Sequence, residues 1–245
     1  MHRLTVTVLG TCGAWPEAGR AASGFLVEQD GFRLALDLGY GTLPRLLEHC
    51  GADELDAVVI THEHPDHCAD LSALARARYF AEPRGSRLPL YCTPGVLDRV
   101  QAMEPTEDLA EVFAVHPLPA AEHRVGPFLL ATASLPHHVP HAGVRLTAAG
   151  RTLAYSGDAG PGPALAELAS DADLFIAGAT LRGPDRDPFL LSAVEAGAWA
   201  ARARARRLLL THFWPGADRA GAAAEAGGPF PGELLTAEEG LVLPW

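Results

Sequence analysis

This chain is most constrained by a run of metal-binding residue types that directly follows a predicted buried strand. The apolar segment Ala57–Ile60 favours a strand covered on both faces, and the seven residues after it are THEHPDH. Because residues two apart in an extended segment face the same side, His62 and His64 can converge on one ion. The feature favours a layered fold in which strand ends carry the site.

The same run offers ligands for a second ion. Pro65 disfavours an earlier helix start and turns the chain, which leaves Asp66 and His67 to point at an ion beside the first. Imidazole and carboxylate are the groups that a divalent metal such as zinc prefers. Three histidines and an aspartate within six residues form a dense cluster in a chain with 11 histidines. We therefore predict a two-metal site.

Two ions need more than four ligands, and two other strand ends provide candidates. One apolar strand ends in a turn that contains Asp158, and another ends at His212. Both residues lie just beyond the carboxyl end of a strand, where sites of layered α/β proteins gather. A third histidine is also needed, and spacing alone does not choose among His137, His138 and His141.

Composition limits the class of protein and its partners. Apolar residues make up 48% of the 245 residues and charged residues 20%, which is typical of a globular domain. The formal charge of −11 disfavours extended nucleic acid as a partner. No apolar run approaches the ~20 residues of a membrane span, and the N-terminus is typical of a first strand rather than a signal peptide. We expect a cytoplasmic protein with four free cysteines, since none has CxxC spacing.

The order of predicted elements indicates an α/β protein in which two sheets pack together with helices outside. We expect a strand-rich middle region at 112–155, and a loop with at most one helical turn at 216–232. The other predicted strands are 4–9, 24–28, 32–36, 57–60, 174–177 and 207–210, and the predicted helices are 43–50, 68–81 and 192–203. One domain spanning 1–245 is the simplest account.

These residues resemble the metallo-β-lactamase superfamily, whose signature is HxHxDH followed by a lone His, a lone Asp and a final His. The resemblance covers nearly the whole chain and includes the motif LDLG at 36–39, whose Asp37 usually buttresses the site. Within the superfamily the chain is similar to the branch that holds ribonuclease Z and small bacterial phosphodiesterases. The resemblance implies a single-domain, four-layer αββα sandwich, and it implies homodimers because relatives commonly form them.

The resemblance also assigns the ligands. In that branch the third metal histidine lies shortly before a Gly-x-Arg strand, here Gly143-Val144-Arg145, and this register selects His137. It implies one ion held by His62, His64 and His137, the other by Asp66, His67 and His212, and Asp158 bridging them. The ions would be two Zn²⁺, with Mn²⁺ or Fe as alternatives. A water or hydroxide between ions about 3.5–4 Å apart would be the nucleophile, and Asp66 would be the catalytic residue that orients or deprotonates it.

The chain departs from that branch in two places. Leu190 stands where those phosphodiesterases carry a histidine that assists the leaving group, and Ala177-Gly178-Ala179 replaces a His-Glu-Ala or Cys-Glu-Ala element. Leucine cannot donate a proton, so either the leaving group needs no acid or another group serves. The candidates for that group are His116, His138 and His141.

Four functions remain open from the sequence. The first is a phosphodiesterase acting on a small molecule such as a cyclic nucleotide or cyclic phosphate. The second is a hydrolase of a lactone, thioester or amide in a biosynthetic pathway. A metal-binding protein without catalysis is the third. The fourth, tRNA 3′ processing, is disfavoured because only twenty residues separate His137 from Asp158, too few for the arm that grips tRNA.

Overall fold

A computed structural model describes residues 4–81, 85–104, 109–120, 122–183 and 186–245. These residues group into two compact units, Met1–Leu118 with Glu239–Pro244 and Pro119–Glu238 with Trp245. Each unit contains one seven-stranded mixed sheet with helices beside it.

The strands and helices follow one another along the whole chain, and their bounds are these. The strands are β1 (Leu4–Gly10), β2 (Gly24–Gln29), β3 (Phe32–Leu38), β4 (Ala57–Ile60), β5 (Leu88–Cys92), β6 (Phe113–Pro117), β7 (His123–Val125), β8 (Phe128–Ser134), β9 (Ala142–Ala148), β10 (Arg151–Tyr155), β11 (Leu174–Gly178), β12 (Arg207–Thr211), β13 (Glu233–Thr236) and β14 (Val242–Pro244). The helices are α1 (Thr42–Leu46), α2 (Pro65–Cys68), α3 (Asp70–Tyr79), α4 (Val96–Met103), α5 (Leu109–Val112), α6 (Pro163–Leu168), α7 (Ala193–Arg202) and α8 (Arg219–Gly227), with a 3₁₀ turn at Ala52–Glu54.

The sheet of the first unit has the order β14-β1-β2-β3-β4-β5-β6. Strands β3 to β6 run parallel, so their carboxyl ends lie at one edge. All four residues of β4 are buried, as expected for a strand that is covered on both faces. Leu74, Leu90, Val100 and Phe113 belong to the core that covers it. This packing holds the HxHxDH run at the edge where β4 ends.

The sheet of the second unit has the order β13-β12-β11-β10-β9-β8-β7. Strands β10 to β13 run parallel, so the residues after β10, β11 and β12 also meet at one edge. β9 and β10 form a hairpin joined by Ala149 and Gly150, both with positive φ (49° and 76°), as in the tight turns that match strand twist. The chain between His137 and Asp158 is therefore a plain hairpin, as the spacing predicted.

Most strands predicted from the sequence are present, but three helical predictions need correction. The loop predicted at 216–232 contains the nine-residue helix α8. Its start is capped by the Asp218 carboxylate, which accepts from Gly221 N–H at 2.9 Å, and flanking Gly and Pro mark its ends rather than exclude it. The helix predicted at 68–81 is present as α3 but is shorter, because Cys68 ends the separate helix α2 and α3 ends at Tyr79, and the helix predicted at 43–50 ends at Leu46.

Within the described ranges, no helix has the length and hydropathy needed to cross a bilayer. All four cysteines are free and buried, as predicted.

Candidate metal centre

His62 and His64 lie at the carboxyl end of β4 and face each other. His62 Nε2 is 3.2 Å from His64 Nδ1, and the ring centroids are 4.8 Å apart. His62 is fully buried and His64 is half-buried. The backbone carbonyl of His64 accepts from His67 N–H and so opens helix α2. The two rings therefore lie close together, as the two-residue spacing predicted, and their binding of one ion stays a prediction.

Asp66 and His67 occupy the short helix α2 and are both buried. Asp66 Oδ2 is 3.6 Å from His67 Nε2. The same oxygen accepts a 2.7 Å hydrogen bond from the backbone N–H of Ala14, 52 residues earlier in the chain. Ala14 has a φ of 63°, a conformation that non-glycine residues adopt rarely and mostly at constrained sites. The loop after β1 thus fixes the orientation of the Asp66 carboxylate.

Asp37, near the end of β3, orients two of the histidines, directly for His67 and through Thr61 for His62. Its fully buried carboxylate accepts from Thr61 N–H (2.8 Å), from the Thr61 hydroxyl (2.9 Å) and from His67 Nδ1 (2.7 Å). Because the Thr61 hydroxyl donates to Asp37, its oxygen accepts from His62 Nδ1 at 3.0 Å. One carboxylate therefore sets the ring orientation of both His62 and His67, and leaves Nε2 of each for a ligand.

In the second unit, Asp158 follows β10 and His212 follows β12, and their side chains meet. His212 Nε2 is 2.8 Å from Asp158 Oδ1, and both residues are buried. The Thr180 hydroxyl, just after β11, donates to the His212 carbonyl (3.2 Å) and accepts from His212 Nδ1 (2.8 Å). The parallel order β10-β11-β12 brings these three side chains to one edge, as the strand-end argument predicted for two of them.

His137 also belongs to the second unit, and its ligand atom lies within 4.8 Å of that of Asp158. Its Nδ1 donates to the backbone carbonyl of Phe189 at 3.2 Å. His138 is exposed and its ring lies 4.5 Å from that of Phe189. His141 is buried, with its ring centroid 5.4 Å from that of His137.

The three histidines that could replace the general acid missing at Leu190 lie in different surroundings. His116 stacks on Tyr91 in the first unit, at 4.6 Å between centroids. Leu190 is half-buried in the segment before α7, and its neighbour Phe189 contacts His138. Among the candidate histidines, His138 thus contacts the residue that precedes Leu190.

The donor set of both units fits a divalent cation. Metal-bound histidines commonly donate their second ring N–H to a carboxylate or carbonyl, which fixes the ring and its tautomer. His62, His67, His137 and His212 all have Nδ1 held by a protein oxygen. Carboxylates stand beside the remaining nitrogens of two of them. Imidazole with carboxylate is the ligand chemistry of zinc and its neighbours.

Cys68 lies next to His67 but does not share this chemistry. Burial raises the pKa of its thiol to about 12, and its Sγ donates to the Glu63 carbonyl at 3.5 Å. Cys68 belongs to the hydrophobic core of the first unit, so packing accounts for its presence beside the site.

Sequence reasoning missed four partners of the proposed ligands: Thr61, Thr180, the Ala14 N–H and the Phe189 carbonyl. Thr61 adjoins the motif, so its hydroxyl could have been suspected. The other three lie 32 to 52 residues from the side chains that they contact, and no local pattern marks them.

Residues 37–213 match the family model described as the beta-lactamase superfamily domain. The chain belongs to the β-lactamase superfamily. The matched range begins at the Asp37 carboxylate and ends just after His212. Membership agrees with the resemblance that the HxHxDH run indicated, and with the fold class expected from it.

Superfamily relatives align with nearly the whole chain. An uncharacterized protein of Mycobacterium leprae is 35% identical over 94% of this chain and 84% of its own length. The probable metallo-hydrolase YhfI of Bacillus subtilis is 29% identical, over 98% and 99%. The crystal structure of YhfI superposes with a TM-score of 0.91 and full coverage of both chains at 27% identity. The short form of human tRNase Z has a TM-score of 0.78 and 25% identity, with 98% of each chain covered. The fold and the metal-dependent hydrolase class are thereby established.

Proposed function

We propose that this chain is a two-metal, zinc-dependent hydrolase that cleaves a small phosphodiester such as a cyclic nucleotide or cyclic phosphate. The proposed ligands are those assigned from the sequence: His62, His64, Asp66, His67, His137, Asp158 and His212. The observation that carries the proposal is the fixed Nδ1 of four of these histidines. Such rings are held in advance in the tautomer that offers Nε2 to an ion.

The protein's own residues have distinct tasks in this proposal. Bound divalent ions supply a water that is nucleophilic at neutral pH and neutralise charge on phosphoryl oxygens. Asp66 orients that water, and the Ala14 N–H keeps its carboxylate from rotating. Asp37 holds the His62 and His67 rings in place through one buried negative charge.

Two observations favour a small substrate over tRNA. The β9–β10 hairpin has a two-residue turn and no arm, and the net charge of −11 repels a polyanion on average. Similarity to a tRNase supports a phosphodiester as the bond cleaved, because that is the linkage of RNA. We therefore keep the bond type and propose a smaller molecule that carries it, with no extended nucleic acid and no membrane as partner.

Metal analysis and hydrolysis assays test the proposal together. The zinc-loaded protein should bind two ions per chain and hydrolyse bis-p-nitrophenyl phosphate and cyclic AMP. His64→Ala should abolish turnover. His49→Ala, which changes an exposed histidine in the turn after α1, should not. Turnover no greater than that of His64→Ala would refute the phosphodiesterase. Two bound ions without turnover of any substrate would indicate a metal-binding protein that lacks catalysis.

Leu190 favours a second candidate function. Without a proton donor at this position, a lactone, thioester or amide in a biosynthetic pathway is the alternative substrate. Hydrolysis of a lactone or thioester panel, combined with failure on every phosphodiester, would select this alternative.

The assembly and compartment are also proposed from the resemblance and the sequence. We expect a cytoplasmic homodimer. Light scattering of the purified protein would measure its mass, and cell fractionation would locate it.

A further inference from the structure

The side chain of Glu239 is only 7% exposed, and its carboxylate forms hydrogen bonds with the first and last residues of one loop. Its Oε1 accepts from the Thr11 hydroxyl at 2.9 Å, and its Oε2 accepts from Arg20 Nη1 at 3.0 Å. These partners precede it by 228 and 219 residues. A nearly buried carboxylate with a charged partner and a hydroxyl partner is a strong, directional link.

The backbone beside Glu239 is itself fixed to the first sheet. Gly240 N–H donates to the Val8 carbonyl at 2.8 Å, and Val8 N–H donates to the Leu241 carbonyl at 2.9 Å. Strand β14 then continues the pairing with β1. The backbone that carries the Glu239 side chain is therefore fixed to strand β1.

The loop that Glu239 holds, residues 11–20, contacts the candidate metal centre through Ala14. The Ala14 N–H donates to Asp66 Oδ2 at 2.7 Å. Ala14 reaches it with a φ of 63°, in a conformation that the surroundings must enforce. The loop base is closed because Thr11 N–H and Cys12 N–H both donate to the Ala21 carbonyl at 3.0 Å.

We propose that Glu239 is a positioning residue for Asp66. By holding Thr11 and Arg20, it keeps the 11–20 loop in the conformation that presents the Ala14 N–H to the Asp66 carboxylate. The orientation of Asp66, and with it the affinity for the ion that Asp66 and His67 would hold, depends on a residue near the C-terminus. This inference rests on the proposed function, because it requires an ion at Asp66.

A purely structural Glu239 would behave differently. If the hydrogen bonds of Glu239 only connected two chain segments, their loss would lower the free energy of unfolding but leave the metal affinity of the folded protein unchanged. Loss of a positioning residue weakens metal binding in protein that is still folded. Metal affinity and the spectrum of the bound metal therefore separate the two roles.

The test compares Glu239→Gln and Glu239→Ala with Glu238→Gln. Glu238 is the exposed neighbouring glutamate, so its variant is a matched control for charge. Apo-protein is titrated with zinc against a chromophoric chelator, and with cobalt while the visible spectrum is recorded. We expect Glu239→Ala to weaken one of the two zinc sites by about tenfold, the lower end of the range for a direct partner of a ligand, because Glu239 acts on Asp66 through the loop and does not contact it. Glu239→Gln should lie between it and wild type, since its amide oxygen still accepts one hydrogen bond.

A second variant pair gives independent support. Arg20→Met should reproduce part of the loss, and adding Glu239→Gln to it should cost less than in the wild-type background, because the two residues share one interaction. If Glu239→Ala does not fold, Glu239→Gln and Arg20→Met decide the outcome.

Two failures are distinguishable. Wild-type zinc affinity and cobalt spectrum in folded Glu239 variants would overturn the positioning role alone, with two ions still bound. Fewer than two ions in the wild-type protein would overturn the proposed function, and the positioning role would fall with it.

Discussion

Asp37 Oδ2 lies 2.7 Å from Nδ1 of His67, and both side chains are fully inaccessible to solvent. The two residues are 30 positions apart and meet because β3 and β4 are parallel neighbours. A buried carboxylate is costly unless it is paired and hydrogen-bonded. Asp37 meets that requirement with its bonds to Thr61 and His67, and in doing so fixes the imidazole that the proposed site uses.

Asp37→Asn should weaken zinc binding about 10- to 100-fold, as expected for the outer partner of a metal-bound histidine. Asparagine keeps the size of the side chain and tolerates the φ of 57° at this position, so that the charge is the main change. Asp98→Asn, at an exposed aspartate of α4, is the control. Competition with a chromophoric chelator measures the affinity, and equal affinities in both variants would contradict the role given to Asp37.

Thr180→Val should weaken the binding of the ion that His212 would hold. Valine has the shape of threonine but cannot accept the His212 Nδ1–H, so the ring loses the partner that sets its tautomer. We expect about a tenfold loss of affinity, at the lower end of the range for outer partners of ligands. Thr147→Val, at a half-buried threonine of β9 that pairs with Thr152, should bind zinc as the wild type does. A loss of equal size in both variants would indicate general destabilisation.

Leu190→His should raise the hydrolysis of phosphodiesters with poor leaving groups. Leucine offers no proton, and a general acid contributes ~10²–10⁴-fold where it is well placed. We expect a gain of about tenfold or more on an alkyl phosphodiester, and little change on a p-nitrophenyl ester, whose leaving group needs no acid. Leu190→Gln is the control, because it is polar and of similar size but not an acid. An equal effect of both substitutions on both substrates would show that protonation is not what Leu190 lacks.

The cysteines should be inert in the folded protein. Burial raises the pKa of Cys68 and of Cys92 from 9.0 to about 12, so the reactive thiolate is nearly absent at pH 8. We expect dithiobis-nitrobenzoate to label none of the four thiols in native protein and all four in guanidinium. Rapid labelling of Cys68 or Cys92 in the native state would contradict the burial.

The raised pKa values of Cys68 and Cys92 also predict how the free energy of unfolding changes at alkaline pH. The folded state keeps these two protons up to about pH 12, whereas the unfolded thiols lose them near pH 9.0. The unfolded state then binds fewer protons, so the free energy of unfolding should fall as pH rises from about 9 towards 12. Urea unfolding at a series of pH values measures this, and substituting Cys68 and Cys92 with alanine should reduce the slope.

Much of the fold followed from local patterns. Apolar runs such as Ala57–Ile60 and Leu174–Gly178 predict buried strands. In the structure, every residue of both strands is buried. Helix α8 was not predicted, because its Ala- and Gly-rich sequence has a weak apolar stripe and Pro and Gly surround it. Its stability comes from packing on α7, where the α-carbon of Gly197 lies against the Ala226 carbonyl. Such close contact between helices leaves no periodic signal in either segment.

The sequence alone predicted the proposed ligands of the HxHxDH run, because a strand followed by a turn brings His62, His64, Asp66 and His67 close together within six residues. It also indicated Asp158 and His212, since residues that end apolar strands gather at one edge of a parallel sheet. Only the tertiary structure decided which residues hold those side chains in place. Asp37 accepts from His67, Thr180 accepts from His212, and Glu239 bonds the loop whose Ala14 donates to Asp66. These are hydrogen bonds between segments tens to hundreds of residues apart, and their existence depends on strand order and packing that no stretch of sequence contains.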